Sequence, residues 1–432
     1  MSKPVLVYQA PVGTRSGYGE RSRDLVRALI ALDKYDIKII STRWGNTPMN
    51  ALTDADNDIV SRLLTTQLTQ QPEIYMQVTV PNEFQRVGKF NIGVTAGIET
   101  TICDASWIEG CNRMDLILAS SEHAKRVFEN STYEKRDSAT NQFLGSLKLE
   151  KPVEVLFEGV RLDKFKRGYS DSPVIENLMN EVQEDFAYLF VGHWLQGAFG
   201  EDRKNVGGLI KTFFDAFKNK DNAPALILKT TMVGPSIVDR EEVKKRIQEI
   251  KDSMDTKVLP NVYLITADLT DEEMSDLYNH PKVKTHISFT KGEGFGRPLA
   301  EAALTGKPII VSGWSGHVDF LDAKSSVLLG GELTTVHPSA VWQGVINPDA
   351  QWFSVNYGEA LHYIKDVFAN YKSYAERSRK TFHHIKNNFS FEAMQNKLGS
   401  ILNARIPDFP KNVPLTLPKL KKIELPKLKK VE

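Results

Sequence analysis

Cysteine is scarce in this sequence: Cys103 and Cys111 are the only two thiols among 432 residues. Two cannot build a disulfide framework, and they fit a reducing, cytoplasmic compartment. Long apolar runs are missing too. Nowhere do about 18 apolar residues follow one another, so no membrane-spanning helix is expected. The opening Met1-Ser2-Lys3-Pro4, followed only by Val5 to Tyr8, is too short in apolar length for a signal peptide. There is no Cys-x-x-Cys, His-Glu-x-x-His, Gly-x-Ser-x-Gly or Walker lysine pattern, so nothing points to a zinc site, a metalloprotease, a serine hydrolase or a P-loop NTPase. Overall charge is nearly absent as well: the net value is +1, which gives the chain as a whole no pull towards polyanions.

What is present is a repeated alternation of strand and helix patterns. A 41% hydrophobic content supports two or three cores at this length. Strand-like runs at residues 4–9, 35–42, 74–80, 90–95, 116–119 and 153–157 alternate with helical stretches. The latter include a long amphipathic one through Leu32, and others at 53–66, 106–111 and 121–130. The polar, aperiodic stretch 135–147 reads as a loop or insertion, and the turn-rich 166–173 as a linker. The alternation restarts with strands at 186–191, 225–229, 262–265, 283–289 and 308–312. Helices are expected at 205–218, 239–251, 270–279, 359–368, 374–387 and 390–402, with Thr270 and Glu273 forming a capping box. Such alternation predicts an α/β chain of parallel sheets covered by helices on both faces. It divides into a first Rossmann-like domain, 1–170, and a second, 171–388.

The chemistry concentrates at Lys291-Gly292-Glu293-Gly294-Phe295-Gly296-Arg297-Pro298-Leu299-Ala300-Glu301. A strand precedes it and a helix follows. Glycines let a ligand approach the backbone, Pro298 suits the first helical position, and the helix N-terminus offers free amides to a phosphate. Glu293 lies in the turn. Glu301, a helical turn further on, is placed to bind vicinal hydroxyls. Thr14 to Gly19 repeats the arrangement, with Gly17 and Gly19 opening the first helix. Arg203 and Lys204, just ahead of a helix, suit a diphosphate. The loop 96–101, with Glu99, leaves the carboxyl end of a strand, the edge where open α/β sheets bind ligands.

Other candidates read more plainly. Asp54-Ala55-Asp56 has the spacing of a cation-binding triplet, but acids directly after Thr53 are what a helix start needs. Glu122-His123 reads as a first-turn acid with an exposed neighbour, and His317 as a loop histidine without an assigned role.

The Glu-x7-Glu spacing around Gly-Phe-Gly and Pro298 resembles the signature of family-4 (group 1 type) retaining glycosyltransferases of the GT-B fold. Further segments resemble that family in order: residues 92–101, 107–115, 120–122, 157–160 and Gln351-Trp352. The likeness spans about residues 4–402. It implies two domains facing across a cleft, with the first on the acceptor side and the second on the nucleotide-sugar side, and a helix at 389–406 crossing back. Glu293 would orient donor sugar hydroxyls and Glu301 the ribose. Lys204 and Arg203, with the Gly17, Gly19, Gly294, Phe295 and Gly296 loops, would hold the diphosphate, and Glu99 would face the acceptor. The implied co-substrate is a nucleotide-diphosphate sugar, with no cofactor and no metal. The leaving diphosphate would take the acceptor's proton. The sequence departs from the family at His193, where a basic residue is usual, and in the longer stretch 196–202. The acceptor implied is a glycan or glycolipid. A modified nucleic-acid base, or a catalytically idle scaffold, are the alternatives.

The end of the chain differs from the rest. Residues 417–424 recur with one conservative change as 425–432, and seven lysines fall between Lys411 and Lys430. Prolines every eight residues forbid a continuous helix, so 407–432 reads as an extended tail suited to an anionic partner such as nucleic acid or a membrane surface.

Overall fold

The computed structural model describes residues 3–232, 234 and 236–409. The repeated lysine segment, and with it the expected extended tail beyond Phe409, lies outside the described residues. No helix among them is long and apolar enough to cross a membrane, and both cysteines are buried thiols.

Two six-stranded sheets organise the chain. The first contains β1 (Val5–Ala10), β2 (Asp36–Ser41), β3 (Ile74–Val78), β4 (Phe90–Val94) and β5 (Leu116–Ala119). After the hairpin β6 (Tyr133–Arg136) and β7 (Phe143–Leu147), β8 (Val153–Val155) completes it. Every pairing within it is parallel, in the order β2-β1-β3-β4-β5-β8. The second holds β9 (Ala187–Val191), β10 (Ala225–Lys229), β11 (Val262–Ile265), β12 (Val283–Ser288), β13 (Ile309–Ser312) and β14 (Val327–Leu329). It is also all parallel, ordered β11-β10-β9-β12-β13-β14. An antiparallel hairpin follows, β15 (Gly331–Thr335) with β16 (Gln351–Val355). Central strands such as Ile-Tyr-Met-Gln-Val (β3) are buried along their whole length, as helices on both faces of a parallel sheet require.

The strand orders refine the expected picture of two Rossmann-like halves. The second sheet has the dinucleotide-fold order, whereas the first has the flavodoxin-type order with its reversal between β1 and β3. Helix Phe391–Arg405 returns to the first sheet, as the resemblance implies. Gly399 packs so closely that a Cβ would lie 3.0 Å from Leu32 Cδ2, and Arg405 pairs with Glu154.

Two local expectations need correction. The stretch 135–147, read as a loop, mostly forms the β6–β7 hairpin. Its turn is held by Asp137 Oδ1, which accepts the Ala139 and Thr140 amides at 3.0 and 2.8 Å. Phe143 and Leu144 remain exposed and only Leu147 of β7 is buried, so burial imposes no repeated alternation that would have revealed a strand. The helix expected at 53–66 is only a 3-10 turn, Asp54–Asp56, and a single turn at Asn57–Val60. It ends because the chain is drawn along the edge of β2, where Leu64 N donates to Ile39 O at 2.8 Å. Asp56 caps Thr53 N at 2.8 Å and pairs with Arg27, which gives the acidic triplet its structural job.

Candidate functional site

In open α/β sheets the crevice lies at the carboxyl ends of strands flanking the order reversal. In the second sheet those strands are β9 and β12. The chain after β9 carries Arg203 and Lys204, and the chain after β12 carries Glu293. The topology therefore joins two motifs that lie far apart in sequence. Lys291 N donates to Arg203 O at 2.7 Å, clamping the two turns together.

Glu293 is buried between cations. Its Oε1 accepts from Lys204 Nζ, and its Oε2 lies 3.5 Å from Arg203 Nη1. Burial alone would raise its carboxyl, but Lys204 and Arg203 more than offset that and hold it at about 2. Burial lowers the Lys204 ammonium in turn, against the pull of Glu293. The Glu293 amide is fixed by Ser315 Oγ at 2.9 Å. His317, unassigned in the sequence, is completely buried beside this acid, with Nε2 2.6 Å from Ser312 O. Burial depresses its imidazole, which suits a neutral ring.

The first domain closes directly onto this turn. A Cβ on Gly294 would sit 2.2 Å from Ala96 O, and one on Gly292 1.9 Å from Glu99 O, so side chains there would push the two loops apart. Ser120 Oγ donates to Gly294 O at 2.9 Å. Glu99 reaches within 3.6 Å of Arg203 Nη1. The start of helix Gly17–Leu32 joins the same place: Ser16 Oγ caps Gly19 N at 3.0 Å, and Tyr18 Oη accepts the Ala96 amide at 3.2 Å. Gly296, at φ +98°, starts helix Arg297–Ala303 in the left-handed conformation that glycine tolerates. Phe295 turns its ring into the core against Phe320, 4.8 Å between centroids; only its backbone remains at the turn.

Glu301 has a different company. Its Oε1 accepts from Arg297 Nε at 3.0 Å, and Tyr278 Oη lies 3.3 Å from Oε2. Arg297 also meets Asp24 at 2.7 Å, Glu20 at 3.6 Å and Glu158 at 3.9 Å. Burial pushes the Glu301 carboxyl up to about 7 against the pull of Arg297. Asp24 and Glu158 are raised for the same reason. Sequence reasoning missed Arg297 as the hub of this network. The one available signal was a guanidinium placed inside the motif, one helical turn from Glu301.

His123 is half-buried rather than an exposed neighbour. Its ring meets Trp314 edge-on at 4.6 Å, and burial lowers its imidazole to about 4. Among the described residues no group of three or more His, Cys, Asp or Glu side chains is arranged to hold a metal ion.

No protein-family profile matches the sequence, and no curated protein does either. Solved structures do. A glycosyltransferase from Rickettsia africae superposes with a TM-score of 0.62 at 14% identity, covering 95% of this chain and 100% of that one. HepE from Anabaena, in complex with UDP and glucose, gives 0.58 at 13% identity over 93% and 100%. Sucrose-phosphate synthase from Thermosynechococcus elongatus gives 0.58 at 11% over 93% and 99%. At such identities it is the fold that is shared, and the fold of this chain is that of the GT-B glycosyltransferases.

Proposed function

We propose that the protein is a retaining glycosyltransferase of the family-4 type, moving a sugar from a nucleotide-diphosphate sugar to a hydroxyl of a glycan or glycolipid, in the cytoplasm and without a metal. The observation that carries this is Glu293, held ionised by Lys204 and Arg203 at the switch point of the second sheet, under a lid of first-domain backbone. An ionised carboxylate accepts strong hydrogen bonds from sugar hydroxyls. Lys204 and the Gly17–Leu32 and Arg297–Ala303 helix starts supply positive potential for a diphosphate. Glu301 takes the ribose hydroxyls. In the transfer the anomeric carbon–oxygen bond to the diphosphate breaks as the acceptor oxygen bonds the same face. The acceptor's proton passes to the departing phosphate oxygen. The UDP and glucose bound in the Anabaena protein support such a donor by analogy of fold.

A screen of nucleotide sugars with EDTA present tests this. A true donor at a hundred times its dissociation constant raises stability by about 2.7 kcal/mol, and it releases nucleotide diphosphate on turnover. Stabilisation by none, or strict dependence on added manganese or magnesium, overturns the reading.

The lysine repeat favours a second reading, an acceptor that is a polyanion such as nucleic acid. Seven lysines between Lys411 and Lys430 gain affinity by releasing counterions. Deleting residues 407–432 then raises the acceptor's KM and flattens its salt dependence, and equal salt dependence of the two forms removes this reading.

A further inference from the structure

Beside the Glu293 cluster lies a cavity of about 270 Å³, whose described lining includes Arg203, Gln196, Trp342 and Trp352 among apolar neighbours. It exists because the β15–β16 hairpin folds back over the second domain. Gln351 and Thr101 exchange bonds of 2.9 Å across the domains, and Trp107 Nε1 donates to Gly344 O at 2.8 Å. The hairpin's turn thus reaches the first domain and walls off one side of the cleft. Trp352 is fully buried beneath it, while Trp342 is 56% exposed at its rim.

Arg203 shows two faces. Nη1 is engaged by Gly292 O at 3.1 Å and by Glu293 and Glu99 at 3.5 and 3.6 Å. Its Nε and Nη2 make no hydrogen bond among the described residues. The guanidinium's charge is thereby met by two carboxylates, and what remains is a pair of donor nitrogens rather than the diphosphate clamp the resemblance implies for Arg203. Gln196 Nε2 donates to Val341 O at 3.1 Å, which leaves its Oε1 as an acceptor. A purely apolar occupant would cover these groups and leave them unpaired, which is unfavourable. A neutral ring with hydroxyls at its edge and C–H groups on its faces satisfies both walls. The volume, below the roughly 300 Å³ at which ligand pockets usually begin, suits one ring rather than an oligosaccharide.

We propose that this cavity, lined among the described residues by the second domain alone, is an acceptor subsite for one neutral pyranose ring, seated on Trp342 with its hydroxyls on Arg203 and Gln196, so that the second domain holds part of the acceptor and not the first domain alone, as the resemblance implies. The inference rests on the proposed transferase activity and gives it a substrate class, an acceptor with a neutral hexose next to the reacting hydroxyl. The ring lies one guanidinium away from the acid that orients the donor sugar.

The test uses the full chain and two readouts. Binding of methyl α- and β-hexopyranosides is followed by saturation-transfer NMR without any donor. Transfer to the same glycosides, to 1-octanol and to 4-nitrophenol is followed with the donor found in the screen. The expected result is binding of at least one pyranoside, a KM about tenfold higher in W342A with a much smaller change in kcat, and substantial recovery in W342F, since an aromatic face is what seats the ring. Trp342 is largely exposed, so its replacement does not threaten the fold. Binding or KM unaffected by W342A, or preference for 1-octanol or 4-nitrophenol, overturns the subsite. Pyranoside binding lost in W342A without transfer from any nucleotide sugar supports the subsite and sinks the transferase reading instead.

Discussion

Glu293 and Glu301 belong to one short motif and are both buried, yet their surroundings push them in opposite directions. Around Glu293 two cations, Arg203 and Lys204, face two carboxylates. Around Glu301 the Arg297 guanidinium is shared by four carboxylates within 3.9 Å, of which Glu20 also meets Arg23 at 2.5 Å and Asp24 meets Arg161 at 4.0 Å. The first carboxyl is held at about 2 and the second rises to about 7. The same desolvation acts on both, so the balance of nearby charge decides. Glu293 is a permanent acceptor, while Glu301 is poised to lose or gain a proton near neutrality.

The largest expected effect breaks the first cluster. E293Q keeps the size of the side chain but removes the charge that, in the proposed transferase, strengthens bonds to sugar hydroxyls, and it leaves Lys204 without its partner. Turnover falls by about a hundredfold to a thousandfold while circular dichroism stays native. Full activity in E293Q would separate this acid from the chemistry.

Next comes the second cluster. R297M takes the nearest cation from the buried Asp24, Glu158 and Glu301, and breaking a buried pair in this way costs about 3–5 kcal/mol. The loss has a direction in pH. These carboxyls take up protons in the folded state, so the destabilisation measured by urea unfolding is smaller at pH 5.5 than at pH 8. An equal loss at both values would mean that Arg297 stabilises by packing alone.

The comparison also shows what a sequence can carry. Glu293, Glu301, the glycine turns and Lys204 were legible because each sits in a local pattern whose physics is local: strand, turn, helix start. The company they keep was not. Arg297 meets Glu20, Asp24 and Glu158, residues brought to it from the other domain by the packing of two sheets, and no period announces such a meeting. Phe295 looked like part of the ligand's cradle but faces the core, since a tight turn alternates sides too quickly for spacing to tell. His123 was misjudged because Trp314, which covers it, arrives from the opposite domain. The hairpin and cavity near Arg203 escaped for a further reason: they depend on an excursion after β14 with no helical or strand period of its own.

The smallest expected effect separates the two acids by titration. If Glu301 must be ionised to accept ribose hydroxyls and its carboxyl titrates at about 7, donor KM falls as pH rises. The fall is at most about tenfold between pH 6 and 8, because at pH 6 about a tenth of the sites carry the charge. The stability contribution runs the other way. A carboxyl raised from the usual range near 4 helps the fold fully below that range, and the help is lost as pH passes 7. Above neutrality the site therefore binds donor better in a slightly less stable protein. The donor's diphosphate is esterified at both ends and has no ionisation near 7, whereas a free terminal phosphate titrates near 6, so the donor itself does not supply the slope. E301Q, which cannot titrate, should show a higher but pH-independent KM. Glu293, held near 2, contributes nothing to the profile in this range. A KM that is flat in the wild-type protein, or an unchanged slope in E301Q, would take Glu301 out of donor binding and leave it as a counter-charge for Arg297.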